Sequence, residues 1–335
     1  MALTPIAILV GVALFFDFLN GFHDSSNIVA TMISSRAMSP RQALALSAIA
    51  HFLGPFLFGV AVAITIGHEV VAQEALTMPV IFAALLAAIA WNLITWFFGI
   101  PSSSSHALIG GLVGAVSTDF GWSTIQMRGL AKVVTALFIS PLLGLVVGHL
   151  LMGLILFLAR GASPGINRFF RRSQVLTSLA LALSHGTNDA QKTMGIIAMG
   201  LVASGYLPEF GVPRWVVAVC AGAISLGTAC GGWRIIKTLG AGFYKIRPVH
   251  GFAAQLTSAA VILGAALLGG PVSTTQVVSS AIVGVGSAER LSKVRWKLAR
   301  NILLAWILTI PATALLAALL YRPTSSLFEA WWGGG

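Results

Sequence analysis

The chain has 335 residues, 57% of them hydrophobic and only 9% charged, whereas soluble domains carry about 25% charged residues. With a mean hydropathy of +0.92, most of it must avoid water, which excludes an ordinary soluble domain. A net charge of +11 would suggest nucleic acid in a soluble protein; here the basic residues lie between apolar runs, so a membrane is the expected partner and nucleic acid is not.

Apolar runs near or above the ~20 residues needed to cross a bilayer occur at 5–20, 42–66, 79–100, 130–159, 213–233, 251–269 and 298–320. The first lacks a basic leader and a clear cleavage site and is expected as a retained span. It carries Asp17 near its end, is interrupted at Asn20-Gly21, and resumes through Ile28–Ile33 to the loop SSRAMSPRQ. A span from about Ala43 follows. The third run ends in Gly99-Ile100-Pro101, and a Ser run then opens a further apolar stretch to Val116. Proline ends the incoming helix and serine caps the next, so 79–116 is predicted as a re-entrant hairpin. After the span at 130–159 comes the Arg-rich RGASPGINRFFRRS. The second half is predicted as a broken span (174–203), a span (213–233) containing Cys220 and Cys230 as small core residues, a basic loop, a second hairpin (251–286) and a last span.

Three segments recur between the halves. GFHDSSNIVATMI (21–33) is built like LSHGTNDAQKTMGI (183–196), with Asp24 on Asp189 at an offset of 165. GIPSSSSHALIGGLVGAV (99–116) matches GGPVSTTQVVSSAIVGVG (269–286), with Pro101 on Pro271 at 170, and AIAHFLG (48–54) matches AGAISLG (221–227) at 173. Such recurrence marks an internal repeat. Of the twenty Lys and Arg residues, fifteen fall in the segments 34–42, 160–172, 234–250 and 287–300. Only Arg128, Lys132, Arg214 and Arg322 fall on the opposite side, and Lys192 lies within the membrane. Positive residues stay inside, so both termini are expected outside, and one hairpin enters from each side. The predicted fold is an all-α polytopic membrane protein of two inverted-topology repeats with broken helices and two re-entrant hairpins. Residues 1–159 form the first repeat, 160–173 a basic cytoplasmic linker, and 174–335 the second repeat. Inversion points to alternating access.

A carboxylate in an apolar span costs ~3 kcal/mol and needs a partner or a wet cavity. Asp24 and Asp189 each follow a glycine by three residues (Gly21, Gly186), where an unwound backbone would free carbonyls for a cation. The alternative is a hydrogen-bonded Asp at a kink. In PSSSSH and PVSTTQ, a hydroxyl run sits where a half-helix begins; its unpaired N–H groups and dipole suit an anion. Two such tips aimed at the midplane would surround a tetrahedral oxyanion, the alternative being plain N-capping. Lys192 follows Asp189 by one turn, in the slot held by Asn27 in the first half, and can set the charge balance. His23 and His185 can take up a proton near neutral pH, or be structural. His106 closes PSSSSH where the second half has Gln276, which argues for hydrogen bonding over a metal pair, and His51 is expected as a local hydrogen-bonding residue.

With GFHDSSN and GTNDAQK, PSSSSH and PVSTTQ, GTACGGWRIIKTLG and GFAAQ, the chain resembles the inorganic phosphate transporter family of PiT-type secondary transporters over nearly its whole length. Its GFHD and SHG-x-NDxQK forms look most like the bacterial low-affinity subgroup, which is proton-coupled and takes phosphate as a neutral metal–hydrogenphosphate complex. His23 stands where many members have Asn, Gln276 where many have His, and Gln255 where many have Glu. The chain also lacks the long central hydrophilic domain of animal members. The resemblance implies a proton-coupled phosphate symporter of the bacterial inner membrane and no enzyme. Ser103, Ser104, Ser105, Ser273, Thr274 and Thr275 would donate to the oxyanion. Asp24, Asn27, Asn188 and Asp189 would hold the coupling H⁺ or Na⁺, or a co-transported Mg²⁺ or other divalent metal, with Lys192, His23 and His185 tuning charge. Expected partners are inorganic phosphate, the coupling cation and the bilayer, with a homodimer as one admissible assembly. Two Asp against one Lys would repel a bare dianion, a physical reason for symport. Na⁺ coupling and sulfate transport are the alternatives within the family; sulfate cannot donate a proton to a carboxylate, so the acid pair leans toward phosphate. An intramembrane serine hydrolase lacks a Gly-x-Ser-x-Gly elbow, and accumulation against a gradient would exclude a passive channel.

Overall fold

The computed structural model describes residues 3–69 and 71–332, and these fold into twelve α-helices, with no β-strand among them beyond an isolated bridge between Val71 and Ile125. In hydrocarbon every backbone N–H and C=O must be satisfied within the segment, which leaves the helix as the outcome for long apolar runs. The helices are α1 (Leu3–Ser34), α2 (Pro40–Leu57), α3 (Ala61–Glu69), α4 (Met78–Phe98), α5 (Ser104–Asp119) and α6 (Met127–Leu158). The second half supplies α7 (Ile166–Ala203), α8 (Arg214–Cys230), α9 (Trp233–Ala241), α10 (Pro248–Leu267), α11 (Thr274–Glu289) and α12 (Trp296–Trp332). Among the described residues five helices, α1, α4, α6, α10 and α12, are long and apolar enough to cross a membrane; the bent pairs α2–α3 and α8–α9 raise the number to seven. This is a multi-pass membrane protein.

The breaks fall elsewhere than the sequence suggests. Both α1 and α7 run unbroken through Gly21 and Gly186, whereas the span read at 42–66 is bent by 76° between α2 and α3, and α8, which fills the span read at 213–233, is followed after a 69° bend by α9 in the segment read as a basic loop. The two glycines serve packing instead of unwinding. A Cβ on Gly21 would stand 2.1 Å from the Ile224 carbonyl oxygen of α8, and one on Gly186 2.6 Å from that of His51 on α2. Reciprocally, Gly227 of α8 faces the Phe18 carbonyl and Gly54 of α2 that of Leu183. Backbones thus touch where α1 crosses α8 and α7 crosses α2, as small residues permit within membranes. The basic segment read as a linker is also partly helical, since α7 begins at Ile166. Cys220 lies in the core as expected, but Cys230, at the end of α8, is exposed.

Two helical hairpins, α4–α5 and α10–α11, carry the hydroxyl runs at their turns. Gly99 (φ 67°) and Gly269 (φ 70°) reverse the chain in the left-handed region, and Pro101 and Pro271 follow two residues later. The inner arms α5 and α11 are buried from Ser104 to Val116 and from Thr274 to Gly286. They are shielded on the outside by α12 and α6, respectively. Those outer helices expose Leu142, Leu150 and Leu158, and Leu308, Leu315 and Leu319, an apolar girdle suited to lipid.

Candidate functional site

Where α1 and α7 pass between the hairpin turns, a run of polar side chains crosses the interior. On α1, Asn20, His23, Asp24 and Asn27 fall at i, i+3, i+4 and i+7, which is one helical face; His185, Asn188, Asp189 and Lys192 repeat that spacing on α7. None of these residues, nor Ser103–Ser105 and Ser273–Thr275 at the hairpin tips, is more than 5% exposed.

The two carboxylates are drawn together by α11. Thr275 Oγ1 donates to Asp24 Oδ1 at 2.8 Å. Thr274 Oγ1 lies 3.1 Å from Asp189 Oδ2 and 3.4 Å from Asp24 Oδ2, so its single proton is offered to either acid. The Asn27 amide nitrogen donates to Asp24 Oδ1 and Thr275 Oγ1, each at 3.0 Å, and stands 3.4 Å from His185 Nε2. Asp189 is paired with the Lys192 ammonium, which also donates to the Val272 carbonyl oxygen at 3.0 Å. His185 Nδ1 is 2.6 Å from Asp189 Oδ2, although off the ring N–H direction. Lys192 is almost wholly buried, so the pair stands or falls together: removing one partner of such a pair costs about 3–5 kcal/mol because a charge is stranded.

The first hairpin is arranged differently. Ser104 Oγ donates to Asn20 Oδ1 at 2.7 Å, and Ser105 Oγ to the Val272 carbonyl oxygen at 3.1 Å. Ser103 and Ser273 are matching N-caps, accepting from the backbone N–H of His106 and Gln276, respectively. His106 Nδ1 lies 2.7 Å from Ser103 Oγ, and the Gln276 amide nitrogen lies 3.4 Å from the same ring nitrogen, so the two turns meet. Apart from the capped N–H groups of His106 and Gln276, those at the starts of α5 and α11 have no intrahelical acceptor.

The remaining sequence candidates sit at its edge. His23 Nδ1 is 3.5 Å from Asp24 Oδ1, with Nε2 toward Thr95, and the Asn188 amide nitrogen donates to the Gly270 carbonyl oxygen. His51 stacks on His185 at 5.3 Å and pairs with Thr228, and Gln255 bridges Thr31 and Thr177. The carbonyl oxygens of Asn27 and Asn188 are buried without a hydrogen-bond partner. Ligand atoms of Asp24, His185 and Asp189 lie within 4.8 Å of one another, close enough to hold a cation. Two of these ligand atoms are carboxylate oxygens, which suit a hard cation such as Mg²⁺, and the third is an imidazole nitrogen. Sequence reasoning missed Asn20, Thr95 and the Val272 carbonyl, and gave Asp17 no role. Asn20 and Asp17 precede Asp24 by four and seven residues, so helical spacing alone carried the signal for both.

Residues 20–317 match the model of the phosphate transporter family. A Rhizobium meliloti (strain 1021) protein described as "probable low-affinity inorganic phosphate transporter" is 49% identical over 315 residues, covering 93% of this chain and 94% of that protein. A Bacillus subtilis (strain 168) protein with the same description is 45% identical, covering 96% and 97% of the two chains. Among solved structures, one titled "The sodium-dependent phosphate transporter" superposes with a TM-score of 0.87 at 24% identity, over 97% of this chain and all of that one. That likeness bears on the fold.

Proposed function

The chain belongs to the phosphate transporter family, and we propose that it is a secondary symporter importing inorganic phosphate with protons by alternating access. The observation that carries this reading is the meeting of two hydroxyl-rich helix N-termini with the Asp24–Asp189 pair in a sealed interior. Phosphate sits between the tips, taking donors from Ser103–Ser105, Ser273, Thr274, Thr275 and the uncapped first-turn N–H groups of α5 and α11. Hydrogenphosphate can donate its own proton to a carboxylate; sulfate cannot, and this favours phosphate.

Asp24, Asp189, Asn27 and Asn188 hold the accompanying cation or the metal of a metal–phosphate complex. Its charge offsets the surplus of carboxylate over Lys192. Exchange of helix partners between the halves supports an inverted repeat: α1 packs on α8 as α7 does on α2, and α5 on α12 as α11 does on α6. The halves then rock about a fixed site. The distribution of basic residues supports a bacterial inner-membrane orientation with both termini outside.

A second reading, Na⁺ coupling, is favoured by the unpartnered Asn27 and Asn188 carbonyl oxygens beside the acid pair. Radiolabelled phosphate uptake into proteoliposomes separates the two. Uptake driven by a proton gradient, enhanced by Mg²⁺ and indifferent to excess sulfate, is the expected result. Uptake driven by Na⁺ alone replaces the coupling ion, and accumulation of sulfate in place of phosphate overturns the substrate.

A further inference from the structure

Asp17 is a fully buried carboxyl for which the site just described has no use. Neither of its oxygens has a hydrogen-bond partner. The Thr193 hydroxyl of α7, also fully buried, stands beside it without closing a hydrogen bond. The charged groups that its own charge reaches are Asp189 and Lys192 on α7; Cys220 faces it from α8, and α4, packed on the same helix, has no titratable side chain. Asp17 lies on the face of α1 that carries Asn20 and Asp24, about 10 Å from Asp24 along the axis. Between them the Asn20 amide nitrogen is unpartnered, while its carbonyl oxygen accepts from Ser104.

A buried ionised carboxylate without a closed hydrogen bond to the protein is among the most costly groups a membrane interior can hold. A structural aspartate in such a place would have acquired a partner, as Asp24 and Asp189 have. The unpartnered one is suited to a proton that comes and goes. With all three carboxylates ionised against Lys192 alone, the interior would hold two surplus negative charges, and a proton on Asp17 removes one of them.

We propose that Asp17 is the proton-carrying residue of the transport cycle. Its carboxylate takes one proton from water on the side to which the site opens, forming the neutral acid present in the sealed state, and returns that proton to water on the other side. The proton is neither created nor consumed, and no other bond changes. The assignment rests on the proton-coupled reading above. It places the coupling proton one step away from the residues that touch phosphate, with Lys192 and Asn20 relaying its effect on charge.

The test compares two measurements on the full chain in proteoliposomes: uptake of radiolabelled phosphate driven by a proton gradient, and phosphate–phosphate exchange without a gradient. Asp17→Asn, which keeps the shape of the neutral acid, should retain exchange while gradient-driven accumulation falls about tenfold or more, in the usual range of coupling between sites. Asp17→Glu should retain both. If the wild-type protein ignores the proton gradient, the coupling reading fails and this assignment fails with it. If wild type responds and Asp17→Asn responds equally, only the Asp17 assignment is overturned. Loss of exchange together with driven uptake in Asp17→Asn would show a structural role and overturn it as well.

Discussion

The two hairpin tips are built from nearly the same residues, yet they hold different things. Each begins with a serine N-cap accepting from the N–H three residues on, at Ser103 and at Ser273. Beyond the cap they part. The hydroxyls of Thr274 and Thr275 face carboxylates, whereas those of Ser104 and Ser105 donate to an amide and a backbone carbonyl oxygen. Hydrogen bonds to charged acceptors are worth about 1.5–3 kcal/mol, against about 0.5–1.5 for neutral ones. The second tip therefore fastens the acid pair, and on the proposed reading the hydroxyls of the first tip are the ones that turn to an incoming oxyanion at lower cost. A repeat that looks symmetric in sequence divides the labour: the hydroxyls of one tip hold the acids, and those of the other hold neutral acceptors.

The strongest way to break this arrangement is to remove the acid that anchors it. Asp189→Asn strands Lys192 in the interior and should cost about 3–5 kcal/mol of stability, with no phosphate uptake. Melting in detergent checks the first effect and proteoliposome uptake the second. Adding Lys192→Met should recover most of the melting temperature while leaving uptake absent, because the stranded charge is gone but the acid is still missing. Recovery of transport in the double variant would remove Asp189 from the site.

A paired substitution at the tips gives the next largest effect. Thr275→Val takes a donor from Asp24 and should destabilise by about 1.5–3 kcal/mol, while Ser104→Ala, whose acceptor is neutral, should cost about 0.5–1.5. Transport should rank them the other way in one respect. Ser104→Ala should raise the phosphate concentration for half-maximal uptake about tenfold, as expected when a donor to a charged ligand is lost, with little change in melting. Equal melting shifts for the two variants would contradict the division of labour between the tips.

Much of this is legible in the sequence itself. Repeated chemistry at helical spacing brought Asp24, Asn27, Asp189 and Lys192 into one site, and Gly-x-Pro followed by hydroxyls located both turns. What sequence could not distinguish was the use of Gly21 and Gly186. A glycine either loosens a helix or admits a neighbour, and the deciding atoms, the Ile224 and His51 carbonyl oxygens, belong to other helices. The bend after α2 escaped for a related reason: hydropathy runs straight through it, so length and composition read one span where the backbone turns, while α9 escaped because its Arg234 and Lys237 read as part of a basic loop. Asp17 was visible as a charge in an apolar run, but what reaches it depends on how α7 and α8 pack, and the Thr193 hydroxyl that α7 brings beside it closes no hydrogen bond.

The smallest effect sharpens the comparison most, because it exchanges the residues by which the tips differ. His106→Gln makes the first tip match the second at the position that closes the motif. The ring now contacts Phe138 edge-on at 5.9 Å and places Nδ1 2.7 Å from the Ser103 hydroxyl. A glutamine keeps a polar group within reach of Ser103 and Gln276 but loses the aromatic contact, worth about 0.5–1.5 kcal/mol. Melting should fall by that amount, with phosphate exchange and its pH profile unchanged, since no carboxylate depends on this ring. A shifted pH profile with unaltered melting would instead give His106 a titrating part in transport, and the tips would then differ in proton handling as well as in what their hydroxyls hold.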